Sequence, residues 1–328
     1  MLTIGDLRRK FIRANSDFHR HYFADVPVDL KALPEFRNDA FPMSGPACWL
    51  DQPDALLAVE RKLAEGTITA EDADICRKWI VDGYYIAPNL IDHGLLDHTW
   101  EAYEKAIQAG SIVVEPESHG EGDLYPGRKL DPHRQVPEIA VLQGHQSILR
   151  ITDLLFGRQT IPFQTIMGHK GSAQRPHSDA IHMTTYPLGF LVANWVAFED
   201  IHADSGPLEY YPKSHRLLPY LLSREVGIAP REFKEKGYGV YNERYEPTIQ
   251  RYLTAYGLTP QFFCANKGDV LFWHANLVHG GSTRRDLKRS RRALVCHYFA
   301  KGAVTYHDLS GNPSRLHRDG MYGVMRPD

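Results

Sequence analysis

Gln174-Arg-Pro-His177-Ser-Asp179, read with the later stretch from Gly268 to Tyr298, decides how this chain is understood. The first stretch sets an imidazole and a carboxylate two residues apart, after Gly171 and beside Pro176. Residues i and i+2 of an extended segment point to the same side, so His177 and Asp179 can converge on one point. The second offers His279 beyond the strand-like run Asp269-Val-Leu-Phe-Trp, then Ser282 and a basic segment containing Arg291. Two imidazoles and one carboxylate make the donor set that suits non-haem Fe(II) and leaves coordination positions open. An HxD tripeptide alone is a weak signal. A histidine after a Gly-Asp-hydrophobic strand strengthens it, as does an arginine on the next strand, because a firmly held guanidinium binds a dicarboxylate through paired hydrogen bonds.

The bulk of the chain sets bounds on this reading. At 328 residues it can bury a substantial core, as one large domain or two ordinary ones. A composition of 43% hydrophobic and 24% charged residues, with a formal net charge of −2, is that of a soluble globular protein. That charge gives no reason to expect a nucleic acid or another polyanion as partner. Cys48, Cys76, Cys264 and Cys296 are dispersed with no CxxC pair, which favours reduced thiols over a disulfide framework or a zinc ribbon. The charged N-terminal stretch lacks the apolar core of a signal peptide, and no run reaches the ~18 apolar residues of a membrane span. A cytoplasmic protein without membrane partners is expected.

Taken in order, residues 1–66 read as an extension packed on the core, with a lid or homodimer element as the alternative. It has a basic helix over Gly5 to Arg20, extended pieces broken by Pro27, Pro34, Pro42, Pro46 and Pro53, and a helix over Ala55 to Ala64. A main domain over residues 67–328 follows. Thr69 caps a helix that Gly83 ends, and Ile75, Trp79 and Ile80 have helical spacing. Tyr84-Tyr-Ile-Ala is strand-like, and helices are expected over Leu95 to Ala109 and Glu138 to Leu155, with a loop from Gly110 to Pro137. Strands are expected over Ile161 to Met167, Phe190 to Phe198, Leu208 to Tyr211, Phe262 to Ala265, Val270 to Trp273 and Ala293 to Phe299. The run Phe190 to Phe198 is apolar enough to be buried on both faces. A polar, partly helical insert at about 217–258 separates the two ligand-bearing regions, and its charge reads as a solvated face. Early helices and late short strands predict one antiparallel β-rich α+β domain with flanking helices.

Five pieces then carry a resemblance. They are Ile68-Thr-Ala-Glu-Asp with Asp82-Gly-Tyr-Tyr; Gln174 to Asp179; Ser205-Gly-Pro-Leu-Glu-Tyr-Tyr-Pro-Lys-Ser-His215; Lys267-Gly-Asp-Val-Leu-Phe-Trp-His-Ala-Asn-Leu-Val-His279; and Arg291-Arg-Ala-Leu-Val-Cys-His-Tyr298. In this order, over about residues 67–300, they resemble the phytanoyl-CoA dioxygenase-like branch of the Fe(II)/2-oxoglutarate oxygenases. The resemblance implies a double-stranded β-helix, or jelly-roll, core of the cupin-like kind. It implies Fe(II) on His177, Asp179 and His279, with 2-oxoglutarate as cosubstrate and O2 as oxidant. Arg291 matches the arginine that holds the distal carboxylate of 2-oxoglutarate, Ser282 the hydroxyl beside it, and Gln174 and Trp195 positions near the cosubstrate. The stretch between His279 and Arg291 is one residue longer than the family's spacing, so Ser282 follows His279 by three.

The implied activity is hydroxylation of an unactivated C–H bond in a small-molecule metabolite, with release of succinate and CO2. An intact Asp179 favours this over halogenation, since related halogenases lack the carboxylate. Two alternatives stand beside it: a cupin-like metalloenzyme with no need of Arg291, and a catalytically silent binding protein on the same fold. Rivals are named with their partners. His274 competes with His279, and Arg292 with Arg291, only one of which can face inward on an alternating strand. His169, His182, His202 and His215 read as surface, pocket-lining or turn residues.

Overall fold

The computed structural model of the chain describes residue 33 and residues 35–41, 47–118 and 123–314. The helix expected over Gly5 to Arg20, and Pro27, Pro34, Pro42 and Pro46, lie outside these residues. The first well-defined helix is Ala55–Ala64, where the sequence places it. In the next, Ala70–Asp82, the Thr69 hydroxyl accepts from the Asp72 backbone N–H while the Asp72 carboxylate accepts from the Thr69 N–H, a reciprocal capping box. Gly83 ends it at φ +81°, a conformation that costs glycine nothing. Its buried face holds Ile75, Cys76, Trp79 and Ile80.

Helix His93–Gln108 starts at Asp92, which caps the Leu95 N–H at 3.0 Å. The single helix expected over Glu138 to Leu155 is two, Pro137–Gln143 and Gln146–Phe156. Gly144 and His145 separate them, and the His145 ring accepts from the Ser147 N–H to start the second. Both halves bury Ile and Leu side chains, so the apolar pattern runs through the break.

The strands, in chain order, begin with β1 (Tyr84–Ala87), β2 (Pro116–Glu117), β3 (Tyr125–Pro126), β4 (Lys129–Leu130), β5 (Thr160–Gly168), β6 (Thr184–Tyr186) and β7 (Leu191–Ala197). They continue with β8 (Leu208–Tyr210), β9 (Gln261–Phe263), β10 (Val270–His274), β11 (His279–Gly281), β12 (Ala293–Ala300), β13 (Val304–His307) and β14 (Asn312–Pro313). The major sheet is ordered β1-β10-β7-β12-β5-β4, antiparallel throughout. Two three-stranded sheets, β11-β8-β9 and β14-β13-β6, complete the jelly roll. The segment 110–137, expected as a loop, contributes β2 to β4, and β4 adds an edge to the major sheet opposite Met167 and Ile166. Strands β6 and β13 were not expected from sequence. They are short and polar, too brief to show a period.

Alternation sorts the major sheet into two cores. Val192 and Val196 of β7, Val270 and Phe272 of β10, and Leu294, Cys296 and Tyr298 of β12 pack with the helices. Ala193, Trp195, Leu271, Trp273 and Ala293 point the other way, against Leu208, Tyr210 and Phe263 of the smaller sheet. Every residue of β7 is buried, as its apolar run requires.

The insert is more than a solvated face. Its helices Pro230–Lys236 and Tyr238–Ala255 help bury Leu221, Leu222, Val240, Tyr241, Tyr245, Ile249 and Leu253 around Ile181 and Val278. Its charge is spent locally, with Arg244 on Glu232 at 2.7 Å and Arg231 on Glu235 at 3.0 Å. Buried Asp308 ties three segments together. It accepts from the backbone N–H of Asn38 at 2.8 Å and of Ser223 at 2.8 Å, and from the Ser223 hydroxyl.

Two stability predictions follow from these features. Thr69→Ala removes the cap and should cost about 1 kcal/mol, seen as a lower urea midpoint. Burial lowers His182, His215 and His307 to about 3, 2 and 4, from an ordinary value of 6.5. The unfolded chain therefore takes up protons that the folded chain refuses. The stability these residues confer is complete above about pH 6.5 and falls as pH drops toward 4, by ~1.4 kcal/mol per pH unit for each histidine. Urea midpoints of the metal-free protein should drop steeply between about pH 7 and pH 5, and a flat profile would contradict the burial of these rings.

Candidate metal centre and cosubstrate pocket

His177 and His279 face each other as an isolated antiparallel bridge, each backbone N–H donating to the other's carbonyl at 2.9 Å. Two glycines make room for this. A Cβ on Gly280 would lie 2.7 Å from the Gln174 carbonyl oxygen, and one on Gly281 would lie 2.8 Å from the Ala173 nitrogen. Only bare backbone at β11 lets the segment 173–177 lie so close.

Ser178 is extended, at φ −109° and ψ 149°, but Asp179 opens a short 3-10 turn, Asp179–Ile181. The extended stretch thus ends one residue earlier than the HxD spacing suggests. The three side chains still converge. Their ligand atoms lie within 4.8 Å of one another, with Asp179 Oδ1 3.8 Å from His177 Nε2 and 3.6 Å from His279 Nε2.

Hydrogen bonds set the tautomers. His177 Nδ1 lies 2.9 Å from the Arg175 carbonyl, and His279 Nδ1 lies 3.0 Å from the Leu277 carbonyl. A carbonyl only accepts, so each Nδ1 carries the proton and each Nε2 turns a lone pair toward the cluster. Burial, followed by the nearby His279, lowers His177 to about 4, which keeps it neutral at neutral pH. Burial pushes the Asp179 carboxyl up, but the imidazoles of His279, His297 and His177 outweigh it and hold the group well below the usual carboxylate range. An ionised Asp179 and a neutral His177 are the protonation states a divalent cation needs.

Several contributors were not singled out from sequence. Trp273 Nε1 donates to Asp179 Oδ2 at 2.8 Å, and His297 Nε2 lies 3.6 Å from the same oxygen. Tyr245, on the long insert helix, accepts the Ser178 N–H through its hydroxyl oxygen at 3.0 Å, bracing the segment between the two donors.

A cavity of about 410 Å³ opens on the cluster, and Arg291, Trp195, Gln174 and Arg128 line it. Arg291 is buried. Its Nη1 donates to the Gly206 carbonyl at 2.9 Å, its Nε has no partner, and its guanidinium lies 5.7 Å from the Trp195 ring centre. Among the described residues no carboxylate pairs with it. Burial, then Arg128, lowers its pKa to about 10, so it stays charged at neutral pH. Gln174 bridges the two regions, with Nε2 3.2 Å from His177 Nε2 and Oε1 accepting from Arg128 at 2.9 Å.

Other candidates lie elsewhere. Ser282 donates to the Pro207 carbonyl at 2.7 Å and does not line the cavity. Its extra residue of spacing after His279 turns it into the neighbouring backbone. Arg292 points outward, 3.7 Å from Glu199. His274 faces away from the cluster, 3.3 Å from Asp51, with its Nδ1 accepting the Asn276 N–H. His169 is held by Glu104 at 2.6 Å, His202 caps a turn at Asp204, and His215 packs beside His274. His182 does line the cavity, with Tyr238 and His307.

The residues fit the groups they would hold. Two oriented imidazoles and an ionised carboxylate suit Fe(II), and a charged guanidinium with no anion suits a dicarboxylate such as 2-oxoglutarate. A family model described as Phytanoyl-CoA dioxygenase matches residues 139–293. Human peroxisomal phytanoyl-CoA dioxygenase is 26% identical over 248 residues, covering 70% of this chain and 68% of the human protein. The match to the rat enzyme, 28% identical over 179 residues, covers 52% of this chain and 48% of that protein, about half its length. Among solved structures, a non-haem α-ketoglutarate-dependent carbocyclase, SnoK, aligns with a TM-score of 0.56 at 17% identity, covering 84% of this chain and 98% of that one. EctD from S. alaskensis with 2-oxoglutarate and 5-hydroxyectoine aligns with a TM-score of 0.55 at 16% identity, covering 77% and 85%. At such identities the structural likeness is one of fold. Among the described residues no helix is long and apolar enough to cross a membrane. Residues 139–293 thus match the phytanoyl-CoA dioxygenase family model, and the chain is similar over most of its length to phytanoyl-CoA dioxygenase and, in fold, to non-haem α-ketoglutarate-dependent enzymes.

Proposed function

We propose that His177, Asp179 and His279 ligate the iron, that Arg291 holds the far carboxylate of 2-oxoglutarate, and that the enzyme hydroxylates a C–H bond of a small molecule. The observation that carries this reading is Arg291, a buried cation without a carboxylate partner among the described residues, lining the same cavity as the His-Asp-His cluster. A cupin-like enzyme using metal alone would have no use for it, and burying it unpaired is costly.

Iron, 2-oxoglutarate and O2 together supply an oxidant able to attack an unactivated C–H bond. The balance is R–H + 2-oxoglutarate + O2 giving R–OH + succinate + CO2. The protein's part is position and shelter. His177 and His279 keep their Nε2 lone pairs directed by backbone carbonyls. Trp195 lies beside the Arg291 guanidinium, and Gln174 links that end of the cavity to the cluster. The carboxylate of Asp179 fills the place that a halogenase leaves for chloride, which favours oxygen transfer. A cavity of about 410 Å³ shared with the cosubstrate suits a compact substrate, or the reactive end of a longer one. The structural neighbours include enzymes named as a carbocyclase and an epimerase. A product that gains one oxygen atom distinguishes hydroxylation from both.

The anaerobic protein with Fe(II) and 2-oxoglutarate should develop a visible charge-transfer band that Asp179→Ala abolishes. Arg291→Gln should raise the 2-oxoglutarate concentration for half-saturation by about 10- to 100-fold, the worth of a charge-assisted hydrogen bond. Screening metabolite pools for stimulated succinate formation identifies the substrate. Protein that binds neither iron nor 2-oxoglutarate would sink the reading, and an Arg291→Gln enzyme fully active without 2-oxoglutarate would favour the cupin-like one.

A further inference from the structure

Three neighbouring strands of the major sheet present a row of inward side chains at one level. Ala193 of β7 pairs with Trp273 of β10 on one side and with His297 of β12 on the other. The middle residue is small and its neighbours are large rings, 6.4 Å apart and nearly perpendicular at 86°. Together they form a notch. The Asp179 carboxylate enters it with one oxygen only: Oδ2 lies 2.8 Å from Trp273 Nε1 and 3.6 Å from His297 Nε2. Oδ1 stays outside, facing His177 Nε2 and His279 Nε2 at 3.8 and 3.6 Å.

We propose that Trp273 is a positioning residue that commits Asp179 to offering a single oxygen to the metal. This rests on the reading of His177, Asp179 and His279 as ligands. An indole N–H is a donor only, so it cannot become a ligand or exchange its role with pH. Its direction is set by packing. Trp273 is 1% exposed, and its ring lies against the His279 imidazole, with centroids 4.7 Å apart. The same side chain therefore sets the plane of the carboxylate and supports the ring of a second ligand. A carboxylate free to turn could offer both oxygens and occupy a coordination position that the cosubstrate or O2 requires. Trp273 keeps that position open by holding Oδ2 in the notch. Ala193 is what lets the carboxylate reach it.

The test is a Co(II) titration of the metal-free protein, read by visible absorption. It compares wild type, Trp273→Phe, Asp179→Ala and the double variant. Loss of an outer-shell partner typically weakens metal binding 10- to 100-fold, so Trp273→Phe should lose at least about 10-fold in Co(II) affinity and change the shape and intensity of the cobalt spectrum. In the Asp179→Ala background the same substitution should change affinity by less than about two-fold, because the two act through one hydrogen bond. Placing the sulfur isostere of tryptophan at position 273 keeps the shape and removes only the N–H. It should reproduce the Trp273→Phe result, and it covers the case in which the Phe variant does not fold. Wild-type affinity and spectrum in Trp273→Phe, or in the isostere, would overturn the inference alone. So would an equal loss in both Asp179 backgrounds, which would mean that Trp273 acts through packing. Wild-type protein that takes up no Co(II) would overturn the ligand reading and this inference with it.

Discussion

The reciprocal backbone pair between His177 and His279 is the contact on which the site depends. It joins residues about a hundred positions apart, so its loop-closure cost must be met elsewhere. The hydrogen bonds themselves return little in net free energy. The closure is met by the surrounding jelly roll: β11 pairs with β8, β10 with β7, and the insert packs beneath Ile181 and Val278. Once the two backbones are locked, each imidazole needs only the carbonyl two residues back to fix its rotation, Arg175 for one and Leu277 for the other. Gly280 and Gly281 are the local condition, because any Cβ there would push the strands apart. The donors are thus placed by backbone geometry before any ion arrives.

Much of this was legible in residue order, and what escaped did so for definable reasons. Alternation from Arg291 puts 293, 295 and 297 on the same side, so choosing Arg291 over Arg292 already implied that His297 faces inward. The same count through β10 places Trp273 beside Leu271 in the inner core. Neither was drawn out, because an apolar-strand tryptophan reads first as packing. The hydrogen bond from Trp273 to Asp179 depends on the row formed with Ala193 and His297, and strand register across three strands is not visible in one sequence. Ser282 failed to reach the cavity for a similar reason. One extra residue between His279 and Arg291 reverses which neighbour a short side chain meets. The break at Gly144 was hidden because apolar residues continue on both sides of it.

The insert shows how function can hide in a segment with an unremarkable pattern. Its charges suggested a solvated face, and the exposed ion pairs fit that description. Its buried tyrosines do not. Tyr245 reaches Ser178, while Tyr241 lies against His182 with ring centroids 5.0 Å apart. Spacing of four along helix Tyr238–Ala255 sets Tyr241 and Tyr245 on one face, stacked at 4.7 Å. That face supports the turn that carries Asp179. A polar composition therefore coexists with a narrow apolar stripe, and the stripe braces the site.

Charge explains why these parts belong together. Arg284 and Arg291 are both buried, and the protein treats them differently. Arg284 grips buried Asp123 through two bonds of 2.7 and 2.8 Å, with Lys170 on the same carboxylate at 3.0 Å, so its charge is compensated within the fold. Arg291 has a carbonyl and an aromatic face, but no anion among the described residues. Burial and Arg128 have already lowered its pKa, yet it remains a cation at neutral pH. An uncompensated buried charge disfavours the folded state unless something binds to it. At the other end, the Asp179 carboxylate is a buried anion among imidazoles, its carboxyl held well below the usual range. The cavity therefore separates a fixed positive group from a fixed negative one. A divalent cation and a dicarboxylate that chelates it would satisfy both ends at once, whereas either alone would leave one end uncompensated. Binding of either group would then favour binding of the other, a coupling set by the two charges that line one cavity.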